Sequence, residues 1–375
     1  MADPTGDAHA QEREALRDTV RTLLERTSGE ADVRRLMETE TGYDEKVWKQ
    51  AAGELGLTGL AIPEEYGGAG FGQLELAVVF EEMGRALFCG PFLSTVGLAA
   101  SALLVSGDDA AKKDWLPGIA AGETIATLAL TEESSGWTAD AVSTTATRDG
   151  SSWKLSGTKW YVLDGQIANL VLVAARADSD VALFAVAGDA AGLTREPMET
   201  MDSTRKMSRL TFDGVAAQPI GDTASGWRTI EQALQLAAVA LSAENVGGAQ
   251  RCLDMAADYA RERIQFGRPV GSFQAVKHKL ANLLIEVEQA KSASYFAARE
   301  AAGGGDDLPL AASLAKAYTG DAFFHTAADN IQIHGGIGFT WEHPAHLYFK
   351  RAKTNQLLLG SSSYHRALVA DVVGI

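Results

Sequence analysis

Two stretches of the 375-residue chain carry side chains suited to holding an anionic ligand. The first is Tyr259-Ala-Arg-Glu-Arg-Ile-Gln-Phe-Gly-Arg-Pro-Val-Gly-Ser-Phe-Gln, which gathers Arg263, Gln265, Arg268 and Gln274 around a break between two helical patterns. A guanidinium grips phosphate oxygens in a two-pronged fork, so this set suits a pyrophosphate or an adenine edge. The plainer account is a structural turn, with a helix ending at Phe266-Gly267 and Pro269 setting the turn. The second stretch is Asp329-Asn-Ile-Gln-Ile-His-Gly-Gly-Ile-Gly-Phe-Thr-Trp-Glu-His. A helix that closes on Gly335 and Gly336 has one glycine more than a C-cap needs, and such a pair lets backbone approach a ligand closely. His334, His343 and His346 lack the spacing of a helix-borne metal pair. Loop and surface histidines explain them better, and no metal site is expected.

Other chemistries are excluded by what is missing. No Gly-x-Gly-x-x-Gly follows a strand and no phosphate-binding Gly-x-x-x-x-Gly-Lys-Ser/Thr occurs, which disfavours Rossmann and P-loop nucleotide sites. No Gly-x-Ser-x-Gly nucleophile turn is present. The formal charge is 33 − 49 = −16, which sets the chain against nucleic acid and anionic membrane surfaces as partners. A hydrophobic share of 46% with 22% charged residues fits a folded globular protein rather than a disordered one. The two cysteines, Cys89 and Cys252, exclude a disulfide framework and suit a reducing compartment. The chain opens without an apolar signal segment and has no long uncharged apolar run, so a cytoplasmic protein without a membrane span is expected.

Three textures must position these residues. Residues 1–125 read as helical: Glu12–Arg26 is charged and periodic, Asp44 is placed to cap a helix to Leu55, and helical patterns return at Gln73–Leu87, Leu93–Ser106 and Ala110–Ala121. A glycine-rich segment, Gly59 to Gly70, interrupts them. Residues 126–228 change period. Short apolar runs at Ile125–Thr131 and Asn169–Ala175, with alternation at Trp153–Val162 and Arg209–Phe212, predict an antiparallel β module, a small barrel or sandwich. Residues 229–375 return to long helices: Ile230–Arg263, broken only by Gly247-Gly248, then Phe273–Ala302 and Leu310–Gly335. Long helices joined by short loops pack as an antiparallel bundle.

Taken together, these residues resemble the acyl-CoA dehydrogenase family over nearly the whole chain. The family's Arg-x-x-Phe-Gly…Gln run stands here as Arg263, Phe266, Gly267 and Gln274, and its Gln-x-x-Gly-Gly run as Gln332, Gly335 and Gly336. Leu60-Ala-Ile-Pro-Glu-Glu-Tyr-Gly-Gly resembles the N-terminal signature. Leu128-Ala-Leu-Thr-Glu and Gly157-Thr-Lys-Trp-Tyr-Val resemble the two strands at the flavin. The resemblance implies an α+β fold with an N-terminal helical domain, a middle β-barrel or sandwich and a C-terminal four-helix bundle. It implies FAD as cofactor, with Leu130, Thr131, Gly136, Tyr161 and Val162 beside it in one subunit. Arg263, Phe266, Gln274, Gln332, Gly335 and Gly336 then reach the FAD of a neighbouring subunit. It also implies a reaction: a carboxylate takes the α-proton of an acyl-CoA, the β-hydride passes to the flavin, and a 2-enoyl-CoA results. The acyl group is carried by CoA or by an acyl carrier protein, and electron-transferring flavoprotein is the expected electron acceptor. A desolvated glutamate and hydrogen bonds to the thioester carbonyl make chemical sense of the proton step.

Departures from the pattern concentrate at the base. Counting without gaps, the glutamate near the C-terminus falls on Leu359, and the alternative position on the long helix falls on Ala237. Neither side chain takes a proton. Glu244 lies seven residues beyond Ala237, about two turns along the same helix face, amid apolar neighbours, and is the substitute base if there is one. The competing account is a structural carboxylate bonded across the bundle, and Glu342, in a loop, reads as a cap or salt-bridge partner. Trp137 replaces the serine expected at the phosphates, and Leu163 the hydroxyl residue expected near the flavin. Four readings follow: an active homo-oligomeric dehydrogenase with a relocated base, a non-catalytic partner in a heteromeric dehydrogenase of actinobacterial type, a flavin monooxygenase on the same fold, or a scaffold without either ligand. Ala237, Ala238 and Ala240 are small where the acyl pocket of the family passes, which favours a bulky, branched or steroid-like acyl group.

Overall fold

The computed structural model describes residues 4–134, 136–150 and 152–375, with side chains from His9 onward. The helices in chain order are α1 (Pro4–Thr27), α2 (Glu30–Met37), α3 (Glu45–Lys49), α4 (Gln73–Arg85), α5 (Ser101–Val105), α6 (Asp109–Ala120), α7 (Gly226–Glu262), α8 (Gln274–Gly303), α9 (Leu308–His334), α10 (Ala345–Leu357) and α11 (Ser362–Val373). The strands are β1 (Ala126–Ala129), β2 (Thr145–Asp149), β3 (Ser152–Leu163), β4 (Leu170–Ala177), β5 (Asp180–Ala187), β6 (Leu193–Met198) and β7 (Met207–Ile220), followed by a small ribbon of β8 (Ile264–Gln265) and β9 (Arg268–Pro269). Local signals set several boundaries as expected. The Asp44 carboxylate accepts from the amides of Lys46 and Val47, and Asp108 caps α6 in the same way.

These elements group into two compact units, each assembled from separate stretches of chain. One comprises residues 35–72 and 89–237. In it β4 pairs with β5, β5 with β7, β7 with β3, β3 with β2, and β2 back to β4, which closes a barrel. β1 adds to β4, and β6 to β7. The module is not wholly antiparallel as expected: β4 lies parallel to both β1 and β2. The chain between β1 and β4 is long enough to cross over, since it carries β2 and β3, so parallel pairing is sterically open. β4 is buried along almost its whole length, which explains a run of apolar residues without alternation. Leu155, Val171, Val173, Phe184, Leu210, Phe212 and Val215 fill the interior, where the Trp153 and Phe184 rings meet at 5.4 Å.

The other unit comprises the chain up to Arg34, Gln73–Phe88 and Ala238–Ile375. Within it α9 packs against α8, α10 and α11. α1 joins through a buried carboxylate: Glu82 on α4, 2% exposed, accepts from Arg17 at 3.0 Å and from both prongs of Arg21 at 2.7 and 2.8 Å. Two guanidinium groups offset the cost of desolvating that charge. α4 and α7 cross at near backbone contact. A Cβ on Gly84 would lie 1.9 Å from the Glu244 carbonyl oxygen, and one on Gly247 would lie 1.7 Å from that of Glu81. The Gly247 seen as a flaw in the long helical pattern is thus where α4 approaches. α7 itself ends at Glu262, earlier than expected, and Phe266-Gly267 form the turn of the ribbon. Both have positive φ, +54° and +78°, the geometry of a tight two-residue hairpin turn that glycine accommodates. Among the described residues no helix is long and apolar enough to cross a membrane.

Replacing Gly247 by Ala forces backbone apart at the α4–α7 crossing, since neither side has a flexible side chain to yield. Overpacking of this kind costs about 1–3 kcal/mol or more. Thermal unfolding should show the loss as a lowered Tm, and an unchanged Tm would refute the close crossing.

Candidate functional site

In the barrel unit, the expected flavin-facing residues are zipped together. The Trp160 amide donates to the Thr131 carbonyl at 2.8 Å, and the Thr131 hydroxyl donates to the Trp160 carbonyl at 2.5 Å. Beneath them the fully buried Lys159 ammonium donates to the Leu130 carbonyl at 3.0 Å and to Glu132 at 2.8 Å. Glu132 also accepts from the amides of Ser143 and Thr144 and from both hydroxyls, which closes the loop that contains Gly136 and Trp137. Ser135 lies outside the described residues. Burial pushes the Glu132 carboxyl up, but Lys159 and the hydrogen bonds outweigh it and hold it at about 2. Burial lowers the Lys159 ammonium to about 8 against the pull of Glu132. A bulge in the β3–β7 register between Lys159 and Val162 places Tyr161 at φ +57° with its ring 44% exposed, while Val162 and Leu163 turn inward. The Glu132–Lys159 pair escaped the sequence reading, although strand parity from Trp153 puts Lys159 on the inward face.

In the helical unit, the ribbon carries Arg263, Gln265, Phe266 and Arg268, and α8 opens at Gln274. Arg263 and Gln274 are exposed, and Phe266 is 92% exposed. At the end of α9, Gln332, Gly335 and Gly336 are exposed, and a Cβ at either glycine would meet nothing within 4 Å. The sequence placed His334, His343 and His346 on loops or the surface, but His334 is buried, with its ring against Tyr259 at 4.4 Å and His343 at 4.2 Å. Among the described residues no cluster of His, Cys, Asp and Glu is arranged to hold a metal ion.

The two surfaces suit FAD unequally. In the barrel unit the Thr131 hydroxyl and Leu130 carbonyl are already engaged and Leu163 adds no donor, so the chain offers the Tyr161 ring but few free polar groups. In the helical unit no carboxylate among the described residues lies within ion-pair reach of Arg263. Its exposed guanidinium, with Gln274, Gln332 and two open glycines, fits the pyrophosphate and adenine portion of a cofactor presented from outside this chain.

At the expected base positions the structure holds apolar side chains, both buried: Leu359 is 4% exposed and Ala237 0%. Leu359 nevertheless sits at φ +62°, in a turn held from two sides. Lys316 donates to the Gly360 carbonyl at 2.7 Å and to that of Gln356 at 3.0 Å, and the His365 Nε2–H donates to the Leu359 carbonyl at 2.9 Å. Burial lowers Lys316 to about 7, and burial plus the nearby Lys316 charge lowers His365 to about 4. Glu244 is 4% exposed and accepts from Arg351 at 3.1 Å and from the Asn355 amide at 3.2 Å. Glu342 is exposed. Arg351, Asn355, Lys316 and His365 were not singled out from the sequence, because nothing in helical periodicity marks a polar residue whose partner stands on another helix.

Removing Lys159 while Glu132 stays buried should be severe. Lys159→Met leaves an unpaired carboxylate, a loss on the order of 3–5 kcal/mol. Adding Glu132→Gln should recover part of it, and urea unfolding would measure both. The sign of the pH effect follows from the low Glu132 carboxyl: its contribution is complete above about 4.5 and is lost as pH falls toward about 2. A wild-type acid-unfolding curve that Glu132→Gln leaves unaltered would contradict this.

Models of three acyl-CoA dehydrogenase domains match the chain in order: the N-terminal domain over residues 10–123, the middle domain over 127–215 and the C-terminal domain over 224–374. Acyl-CoA dehydrogenase IpdE2 of Mycobacterium tuberculosis is 35% identical over 358 residues, covering 94% of each chain. Among solved structures, a chain of a variant Tcur3481-Tcur3483 steroid ACAD superposes with a TM-score of 0.89 at 33% identity, over 97% of this chain and 98% of the other. The ChsE4-ChsE5 complex from Mycobacterium tuberculosis gives 0.88 at 29% identity, over 96% and 97%. With matching domains from end to end and a relative of this identity, the chain belongs to the acyl-CoA dehydrogenase family.

Proposed function

We propose that this chain is a non-catalytic subunit of a heteromeric acyl-CoA dehydrogenase, and that it completes the FAD site of a partner subunit through Arg263, Phe266, Gln274, Gln332, Gly335 and Gly336. The observation that carries this reading is the state of the acid residues. Both usual base positions hold buried apolar side chains, and Glu244 is bound to Arg351 and Asn355. A carboxylate held by a guanidinium favours its charged form and is a poor proton acceptor, since taking a proton would break that pair. The exposed side chains of Arg263, Gln274 and Gln332 support the other half of the proposal, because among the described residues they find no hydrogen-bond or ion-pair partner.

FAD supplies the hydride-accepting chemistry when bound. The part of this chain is binding and orientation: Arg263 holds an anionic group by charge-assisted hydrogen bonds, Gln274 and Gln332 offer amide edges, and the Gly335-Gly336 backbone leaves room for close approach. The partner supplies the base and binds the acyl-CoA whose α,β bond is oxidised. A bulky, steroid-like acyl group is the substrate class. The small buried Ala237, Ala238 and Ala240 support it, as does the likeness to a steroid ACAD. Electron-transferring flavoprotein is the proposed electron acceptor, and the cytoplasm the proposed compartment.

The decisive experiment compares the chain purified alone with the chain co-expressed with a homologue that carries a glutamate at one of the two base positions. Flavin per chain is read from absorbance near 450 nm, and turnover from a CoA-thioester panel with an artificial acceptor. The chain alone should show no turnover, and the complex should show both flavin and turnover. Full flavin occupancy and turnover by the chain alone would overturn the reading. Arg263→Ala should lower the flavin content of the complex several-fold while leaving the Tm of the chain alone unchanged, as the side chain is exposed. Glu244→Gln should destabilise the chain by on the order of 3 kcal/mol, through removal of the buried counter-charge of Arg351. It should leave substrate bleaching of the flavin intact, and abolished bleaching in a folded complex would assign Glu244 as the base instead.

A further inference from the structure

The two motifs of the helical unit hang from neighbouring helix ends, and one aromatic stack joins them. Tyr259 stands in the last turn of α7, and its carbonyl accepts the Arg263 amide at 2.8 Å. The Val270 amide donates back to the Arg263 carbonyl at 2.7 Å, so the ribbon is suspended from Tyr259. The Tyr259 ring in turn lies 4.4 Å from the imidazole of His334 at an interplanar angle of 36°. His334 closes α9 and directly precedes Gly335. His343 continues the stack, 4.2 Å from His334 at 45°.

Hydrogen bonds set the form of each imidazole. The His334 Nδ1 lies 2.8 Å from the Asn330 carbonyl, which only accepts, so this nitrogen carries a hydrogen. The His343 Nδ1 accepts the Ala345 amide at 3.2 Å and so carries none. Burial lowers the proton affinity of both rings, and the neighbouring His334 adds to the effect at His343. The titratable and charged groups facing His343 are His334, His346, Glu30 and Arg34, while His334 is faced by the rings of Tyr259 and His343 and by the Asn330 carbonyl.

We propose that Tyr259 and His334 are positioning residues that set the Arg263 ribbon and the Gly335 turn in register, so that the two cofactor-reaching motifs act as one surface. This rests on the subunit role proposed above. It adds a direction with pH. Both imidazoles bind a proton less readily in the closed stack than in an open chain. The stack is therefore intact above the ordinary histidine pKa of about 6.5 and loses stability as pH falls below it.

Backbone hydrogen exchange of the full chain tests this at residues 264–272 and 335–341, at about pH 7.5 and about pH 5.5 after correction for the intrinsic rate. His334→Ala should raise exchange several-fold in both segments at both pH values. His334→Phe keeps a ring that stacks but does not titrate, so it should lose less protection at the lower pH than the wild type does, with His343 supplying the remaining response. Exchange that rises only in 335–341 of His334→Ala, or an equal pH response in His334→Phe and wild type, would overturn the joint. This measurement needs neither flavin nor partner. Flavin content of the assembled enzyme, measured on the same variants, should fall with His334→Ala and be restored by His334→Phe. Both segments opening with flavin content unchanged would overturn the cofactor role of the stack while leaving the subunit assignment standing.

Discussion

The Arg351 guanidinium is the pivot of the helical unit. It is 3% exposed and donates to Glu244 on α7 at 3.1 Å and to the Phe88 carbonyl, just beyond α4, at 3.4 Å. Its own helix, α10, packs on α9. One buried cation therefore ties three elements together. Asn355, one turn further along α10, reaches the same Glu244 oxygen at 3.2 Å and Asn245 at 3.0 Å. A buried pair of this kind contributes little net energy relative to an apolar core, but breaking it leaves a stranded charge. Its effect is to fix which faces of α7 and α10 meet. That same contact engages Glu244, the carboxylate about two turns beyond the expected base position at Ala237.

The polar chemistry of this protein is split between a committed interior and an uncommitted surface. Glu82, Glu132 and Glu244 are each matched to a cation and to further hydrogen bonds, and the amines of Lys159 and Lys316 are matched to backbone carbonyls. By contrast, the exposed side chains of Arg263 and Gln332 make no hydrogen bond or ion pair with the described residues. The global charge of −16 opposes binding of any anionic ligand, so the proposed cofactor contact would rest on these local donors and the frame that carries them. The frame comes from helix ends: α7 and α9 stop beside one another, and the ribbon and glycine turn grow from those ends.

Leu359 shows a turn conformation imposed from outside the residue that adopts it. A leucine with positive φ costs about 1 kcal/mol or more. The turn persists because Lys316 and His365 hold its carbonyls and the side chain is buried. The conformation belongs to the surrounding bundle rather than to the residue within it.

Much of the order of elements is legible from residue 44 onward, because caps, glycines and periodicity act within a few residues of one another. The Asp44 cap, the long pattern of α7 and the alternation of β3 are all of this kind. So are the Arg263 and Gly335 motifs, whose residues are close in sequence and end up on one surface each. The same local logic established that neither Leu359 nor Ala237 can take a proton, a matter of side-chain chemistry alone. The tertiary structure decided what distance in sequence conceals. Glu244 finds Arg351 at a sequence separation of 107, the approach of α4 explains Gly247, and β4 takes parallel neighbours. A helix or strand signal is written in the spacing of one segment, whereas a partner is selected by which buried faces can desolvate together, and that choice exists only once the chain has packed.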